Sequence, residues 1–516
     1  MTDFGSISRQ KQAVLAVGTG YGTSAVLMAL SFLITPFILR HIGQGAYGLW
    51  AIIGQVVGYI GLTDMGVGAA LMTYASRSLR NSQAEELNQL SSTALIIQAA
   101  LGLLGLVIAL SVAPFLSRMI DTGGVDARVL VVAVGLVALG WFVKTSLNTF
   151  DQLLVAHQRL HVNYLIGLAS QLLRIVLVLI LLTLGSGLVG LAIAALAANI
   201  VFVWLTVIKL KRLAPELSIR PRHFEPKLAR ELLKFSSWGM VGRFAATVIY
   251  NTDNLIVGVF LGAPAVTVYV LSRRLPDLLR QNIYRIGNAL RPGVGDLAGG
   301  KDDVILRRTY ASAARLYLFI AIVGGVIIGF ASRRIVTLWV GASNYGGDLL
   351  VWIMVASVVV LSLFHISSII LVADLQVKVV SSTRLIEAIL NVGLSVSLIR
   401  MGLGLAGVAA GTLIASALTS ALVIPFYAGR RVGLGMAGFT RSVILGPATG
   451  GLAIASVCWA LGRVELVGRT TWPSTLLYLA IAGAFAGFLM LSFGVEADQR
   501  RRLLALLKPR WGGHSD

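Results

Sequence analysis

Along its whole length the chain is divided into apolar runs long enough to cross a bilayer, separated by short charged punctuation. A spanning helix needs about 20 mostly apolar residues and a spanning strand about half that, so the run lengths point to helices. The runs fall at 14–39, 46–75, 91–117, 129–155, 162–184, 187–208, 235–261, 266–290, 311–340, 349–372, 382–399, 404–428, 442–462 and 475–494. They predict an all-α polytopic membrane protein of about 14 transmembrane helices, with 12 or 13 as the alternatives. Composition agrees, since 57% of the 516 residues are hydrophobic and 13% charged, against about 25% charged in soluble proteins. The first run is too long for a cleaved signal peptide and is expected to be the first helix.

The 43 Lys and Arg residues outnumber the 22 Asp and Glu, a net charge of +21. In a membrane chain that excess is read loop by loop, because positively charged loops resist translocation, and nucleic acid is not the implied partner. Arg9, Lys11, Arg77, Arg80, Lys209, Lys211, Arg212, Arg220, Arg222, Lys227, Arg430, Arg431 and Arg500 to Arg502 all fall on one side. Both termini are therefore expected to be cytoplasmic, as an even span count also requires. The segment Lys209 to Lys234 carries eight basic residues with Pro215, Pro221 and Pro226. It reads as a linker, 209–234, lying on anionic headgroups between an N-terminal lobe, 1–208, and a C-terminal lobe, 235–428. Each lobe would hold six helices. Residues 429–516 would add a helix pair and an amphipathic tail, Gln499 to Trp511, in the inner interface.

Several chemistries are excluded or disfavoured. The outer connections, the longest being Arg118 to Arg128 and Arg463 to Trp472, are too short for the catalytic domain that a membrane glycan polymerase or ligase needs. Gly299-Gly300-Lys301 lacks the glycine spacing and hydroxyl of a phosphate loop. His157 and His161 have helical spacing, but no carboxylate or thiol completes a metal set. The single cysteine, Cys458, rules out an intrachain disulfide. No metal and no cofactor is expected.

A charge near the bilayer centre costs a few kcal/mol or more unless paired or hydrated. Asp253 and Asn254 on the seventh span and Arg273 and Arg274 on the eighth would lie at similar depth, roughly 10–14 Å below the outer surface at about 1.5 Å per residue. A pair between Asp253 and one of these arginines is one expectation. Arg273, Asp277 and Arg280 share a face by their i, i+4, i+7 spacing. With Pro276, Gln281, Asn282 and Arg285 they make a stripe suited to a water-filled cavity that attracts anions. Arg243 on the seventh span adds a further cation, and a guanidinium fork suits phosphate. Arg243, Arg273, Arg274 and Arg280 are thus the candidate substrate-binding cations. Asp64, Asp253 and Asp277 are the candidate coupling or pairing carboxylates. Lys144, Asp151 and Arg174 are expected to pair across helices, and Arg384 with Glu387.

Two stretches then suggest a family. Leu39-Arg40-His41-Ile42-Gly43-Gln44-Gly45-Ala46-Tyr47-Gly48-Leu49-Trp50 and Gly61-Leu62-Thr63-Asp64-Met65-Gly66-Val67-Gly68-Ala69-Ala70-Leu71 resemble the opening of the polysaccharide transporters of the multidrug/oligosaccharidyl-lipid/polysaccharide exporter superfamily. Asn251-Thr252-Asp253-Asn254-Leu255-Ile256-Val257 with Leu261-Gly262, then Thr337-Leu338-Trp339-Val340-Gly341 and Met401-Gly402-Leu403-Gly404, continue the resemblance in order. Gly43 and Gly262 would head corresponding hairpins of an internal duplication.

The resemblance implies two six-helix bundles set in a V. Alternating access would carry an undecaprenyl-pyrophosphate-linked oligosaccharide from the inner to the outer leaflet of a bacterial-type plasma membrane. It implies membrane lipids, H+ or Na+, and polysaccharide polymerase or ligase machinery as partners. The first helix lacks the cavity arginines expected of the similar lipid II flippase branch, which favours O-antigen, capsule or exopolysaccharide repeat units. The main rival is an ion-coupled multidrug exporter of the same superfamily, whose cationic substrates would want net carboxylate. Arg243, Arg273, Arg274, Arg280 and Arg285 against Asp253 and Asp277 argue the other way.

Overall fold

In a computed structural model the chain is described over residues 9–234, 237–299 and 303–494. The amphipathic tail expected at Gln499 to Trp511 lies outside the described residues. The helices are α1 Arg9–Ile60, α2 Val67–Arg80, α3 Ala84–Met119, α4 Ala127–Ser146, α5 Asn148–Ala156, α6 Leu160–Thr183, α7 Gly187–Leu213, α8 Pro226–Lys234 and α9 Ser237–Gly299. They continue as α10 Asp303–Val340, α11 Asp348–Ala373, α12 Val377–Leu398, α13 Gly404–Leu418, α14 Ser420–Arg431, α15 Met436–Phe439, α16 Leu445–Arg463, α17 Glu465–Gly468 and α18 Trp472–Leu489. No strand occurs among the described residues. Hydrocarbon offers no partner for backbone N–H and C=O groups, and a helix satisfies them within the segment.

Eleven stretches are long and apolar enough to cross a membrane, and three of them run to 47, 54 and 55 residues. At about 1.5 Å per residue each of those three covers roughly twice a hydrocarbon core of about 30 Å. Counting each as two passages restores the fourteen expected. Backbone geometry supplies the turns. α1 breaks at Gly43 with φ 77, ψ 173, and α9 breaks at Gly262 with φ 82, ψ 169. That region is open essentially to glycine alone.

The same correspondence recurs at a nearly constant offset along the chain. Gly185 and Gly187 have φ 78 and 51, and Gly402 and Gly404 have φ 88 and 55. Gln158 and Leu375 each take a left-handed residue after a helix end, at φ 61 and 60. The N–H of His157, Gln158 and Arg159 and that of Asp374, Leu375 and Gln376 return to the preceding helix in the same pattern. The duplication is therefore written in turns more clearly than in side chains. An added Cβ at Gly43 meets no atom within 4 Å. Gly43→Ala should therefore cost about 1–3 kcal/mol from backbone strain alone, read as a lowered unfolding midpoint in detergent.

Contacts divide the chain into two compact units, Met1–Thr267 and Val268–Asp516. In the first, α3, α4, α6 and α7 pack on one another and on α1, and α2 and α5 pack together at one end. Residues 237–267 belong with this unit. Tyr59 and Thr252 share a hydrogen bond, and Thr267 Oγ1 donates to the Gln44 carbonyl at 2.6 Å. The backbone N–H of Ala263 donates to the carbonyl of Asp121 at 2.9 Å.

The basic linker is docked rather than loose. Ser218 N–H donates to Asn88 at 2.8 Å, and Arg220 and Glu225 N–H donate to Ser92 and Thr93 at 3.0 Å each. Leu217, Ile219, Leu228 and Leu232 join the apolar cluster formed by Val67, Leu71, Leu87 and Leu90. Arg220, Arg222, Lys227 and Arg230 stay exposed.

In the second unit α10, α11, α12, α13 and α14 pack together, and α16 and α18 lean on α10. Arg315 Nε donates to the Phe493 carbonyl at 2.8 Å, and Arg334 donates to the Val467 carbonyl at 2.9 Å. The small residue Gly411 lets Ser395 approach closely, and Asn391 donates to Thr412 at 2.7 Å. Close packing of this kind substitutes for the hydrophobic drive that lipid removes.

At the end of this unit that carries the basic loops, Arg431 bridges Asp374 at 2.7 Å and Asp303 at 2.9 Å. Burial alone would raise the Asp374 carboxyl. The hydrogen bonds from Arg431 and Gln376, with the Arg431 charge, more than offset that and hold it below the usual carboxylate range. Its unfolded value is about 3.9. The clamp's contribution is therefore complete above that value and disappears as pH falls through the lower folded one. With partners this exposed it is worth about 1 kcal/mol at most. Asp374→Asn should flatten the acid-side fall of the unfolding midpoint.

Candidate functional site

Each unit carries its own polar cluster within its long apolar helices. In the first, the expected continuous second span, 46–75, is broken. Gly61–Asp64 form a 3-10 turn, Met65 and Gly66 both take left-handed backbone at φ 50 and 77, and α2 restarts at Val67. The break turns the backbone N–H groups of Gly66 and Gly68 toward the Asp64 carboxylate. Its Oδ1 is nonetheless buried and without a hydrogen-bond partner. An unsatisfied buried acceptor of this type costs about 1–3 kcal/mol, more when charged.

Arg243 lies close enough to act on Asp64 electrostatically, and it makes no hydrogen bond or close ion pair among the described residues. Arg243 lines a cavity of about 200 Å³ together with Leu62, Met65, Gly66 and Ala69 from the broken span and Gly239 and Met240 from its own helix. The cavity has room for several waters. Asp253 and Asn254 are 2% and 3% exposed, and Asn254 Oδ1 also lacks a partner.

The fourth span, expected to be one helix over 129–155, breaks at Leu147 into α4 and α5. Lys144 and Asp151 are therefore not on one helical face. They still interact electrostatically, while Asp151 accepts from Asn163 at 2.6 Å and Lys144 lies over the Phe202 ring at 5.1 Å. Arg174 makes no ion pair among the described residues. Its guanidinium sits over the Trp50 ring at 5.6 Å, a seat the expectation of carboxylate pairing did not include.

In the second unit the spacing argument holds. Arg273 Nε meets Asp277 Oδ2 at 3.0 Å, and Arg280 meets Oδ1 through Nη2 at 3.1 Å and Nε at 3.2 Å. Asp277 is thus shared by two arginines, and the triad keeps one net positive charge. Arg273 and Arg280 are mostly buried, with side chains 18% and 15% exposed. Asp253 and Arg273 each have a further contact of their own. Arg274, next along, has contacts of its own.

Sequence reasoning passed over what lies beyond the triad. Arg280 rests over the Tyr284 ring at 5.5 Å, and Tyr284 stacks on His365 at 4.0 Å with an interplanar angle of 9°. Tyr284 also donates to the Leu361 carbonyl at 3.2 Å, and the Tyr317 hydroxyl lies 3.4 Å from His365 Nδ1. The stack fixes the Arg280 fork in place. The signal available was the polar run Ser362, His365, Ser367 and Ser368 inside an otherwise apolar span.

Arg384 and Glu387 pair as expected at 2.9 Å, with side chains 5% and 0% exposed. Glu387 also accepts from Ser416 at 2.6 Å and from Ser420, and Arg384 lies over Phe364 at 4.5 Å. Toward the expected outer surface, burial and the hydrogen bond donated to Asp348 push the Tyr345 hydroxyl up.

Chemically, these clusters offer cations to an anion. Comparison with known proteins adds independent information. The sequence profile of a family described as polysaccharide biosynthesis protein matches residues 15–293, more than half of the chain. The chain is 24% identical over 491 residues to the "Uncharacterized membrane protein EpsK" of Bacillus subtilis (strain 168), covering 93% of this chain and 95% of that protein.

Among solved structures, an inward-facing multidrug resistance MATE family transporter of the MOP superfamily superposes with a TM-score of 0.67 at 17% identity, covering 79% of this chain and 94% of that one. A MOP superfamily transporter from Pyrococcus furiosus, described by the words "reverse polarity of binding pocket suggests different function", superposes at 0.58 and 18% identity, covering 82% and 96%. At these identities the likeness is one of fold.

Proposed function

Because the chain belongs to the polysaccharide biosynthesis protein family of multi-pass membrane proteins, we propose that it is an exporter. Its cargo is an undecaprenyl-pyrophosphate-linked oligosaccharide, an O-antigen, capsule or exopolysaccharide repeat unit, moved from the inner to the outer leaflet by alternating access. The observation that carries this reading is the sign of the charge at membrane depth. Arg273 and Arg280 both bind the carboxylate of Asp277, and Arg243 has no close ion partner among the described residues. A pyrophosphate is a dianion or more and needs fixed cations with two-pronged donors.

The glycan needs a hydrated path, while the polyprenyl tail can remain in lipid. The protein acts as a transporter and not as an enzyme. It resides in a bacterial-type plasma membrane with both termini cytoplasmic, beside the polymerase or ligase machinery that consumes its product. An ion-coupled drug exporter is the second reading, since the same fold is found in multidrug transporters. Organic cations, however, are repelled by a surplus of arginine.

Proteoliposomes decide between the two. Lipid-linked oligosaccharide placed in one leaflet should become accessible from the other only when the protein is present, and organic cations should not be taken up. Cation uptake without glycan movement would overturn the proposal.

A further inference from the structure

The two halves of the duplication finish differently at the end that carries the basic loops. At the offset that relates Gln158 to Leu375 and Gly185 to Gly402, His157 stands where the second unit has Asp374, and Ala214 where it has Arg431. In the second unit the Arg431 side chain occupies that place and bridges Asp374 and Asp303. In the first, Ala214 and His157 instead line a cavity of about 370 Å³ between the end of α2, the start of α3 and the linker. That lies within the roughly 300–1,000 Å³ range of small-molecule sites. The docked linker makes one wall, since Asn88 holds it through Ser218 N–H.

Hydrogen-bonding groups of both kinds stay available in this lining. His157 Nδ1 lies 2.7 Å from the Leu153 carbonyl, which can only accept, so Nδ1 bears the proton and Nε2 of the neutral ring is an acceptor. Asn88 uses its carbonyl oxygen on Ser218 and keeps its NH2 to donate, and Gln83 does the same with Asn81 at 3.5 Å. Ser82, in left-handed backbone at φ 57 in the turn that closes α2, has no side-chain hydrogen bond among the described residues, and neither has the Glu216 carboxylate. Leu87, Leu213 and Leu217 add apolar surface, and among the described residues no Lys or Arg lines the cavity.

We infer that this cavity is a binding subsite for a neutral pyranose ring, the sugar part of the cargo. The inference rests on the proposed function for the source of the sugar, whereas the class of ligand follows from the lining. A pyranose carries hydroxyls that both donate and accept around its rim and C–H groups on its faces. The NH2 groups of Asn88 and Gln83 suit its oxygens, His157 Nε2 and Glu216 suit its hydroxyl protons, and the leucines suit a C–H face. A bound sugar exchanges water for partners of both kinds, which keeps its desolvation from going uncompensated. An anion finds no cation in the lining and one carboxylate that repels it. The surrounding loops are basic, so the lack of Lys and Arg in the lining separates this site from the phosphate-seeking arginines.

The test uses full-length protein in detergent, with glucose, galactose and N-acetylglucosamine as probes and saturation-transfer NMR as the readout. At least one sugar should bind the wild type, and inorganic pyrophosphate should not displace it. Ala214→Arg, which puts the second unit's side chain into the cavity, should abolish the transfer. Ser82→Gly suits the left-handed turn and removes one hydroxyl, and His157→Phe keeps a ring and removes Nε2. Each should weaken binding by about two- to tenfold, the worth of one net hydrogen bond.

Binding by none of the three sugars, transfer that survives in Ala214→Arg, or displacement by pyrophosphate would each overturn the subsite. Should Ala214→Arg fail to fold, Ser82→Gly and His157→Phe decide, and wild-type affinity in both overturns it. Proteoliposome assays keep the two readings apart. Sugar binding without movement of lipid-linked glycan would remove the proposed function and leave the site, whereas glycan movement without sugar binding would remove the site alone.

Discussion

Glu387→Ala should be the most destabilising single substitution outside the apolar core, lowering stability by about 3–5 kcal/mol. Glu387 is fully buried and accepts from Arg384, Ser416 and Ser420, so its removal takes the carboxylate away from a guanidinium that is 5% exposed and from two hydroxyls. The cost comes from the charge left behind more than from the bond lost. That distinction can be tested. Replacing Arg384 and Glu387 together by Met and Leu should recover most of the loss, because a buried pair exchanged for apolar groups of similar volume is often neutral. Thermal unfolding of the purified protein in detergent reads both variants. A Glu387→Ala midpoint equal to wild type would mean that water or lipid headgroups reach Arg384.

The second large effect concerns export. Arg273→Ala with Arg274→Ala should leave a folded protein, since Asp277 keeps its two hydrogen bonds from Arg280. Two charge-assisted contacts to a phosphate are worth about 1.5–3 kcal/mol each. Their loss should therefore reduce glycan export more than about tenfold, about 1.4 kcal/mol being one factor of ten. The paired Arg→Lys variant keeps the charge but not the fork and should fall between the two. Wild-type export from a well-folded double Ala variant would remove these two residues from the cargo path.

Much of this was legible because membrane chemistry restricts what a sequence can do. Run length gave the helices, and the i, i+4, i+7 and i, i+3 spacings gave the contacts of Arg273, Asp277 and Arg280 and of Arg384 and Glu387. Gly43 and Gly262 could be placed as hairpin heads through the family resemblance, and the structure puts helix breaks at both.

Features that depend on distant partners were not legible. Gly61, Gly66 and Gly68 look like the glycines that spanning helices tolerate, and the break shows itself only in the left-handed backbone of Met65 and Gly66. Leu147 carries no glycine or proline signal at all, yet a helix ends there. The linker's docking depends on Asn88, Ser92 and Thr93, roughly a quarter of the chain away from the groups they bind. Arg174 finds Trp50, and His365 finds Tyr284 and Tyr317, across helices that periodicity cannot order.

The central claim is that the chain moves a lipid-linked glycan between leaflets. The most direct measurement is the leaflet distribution of polyprenyl-linked oligosaccharide in cells depleted of the protein, probed from outside with a membrane-impermeant glycan reagent. The account predicts that the linked glycan accumulates and stays shielded from the reagent until the protein is restored. Unchanged labelling at the outer surface after depletion, in cells with no second flippase, would contradict it.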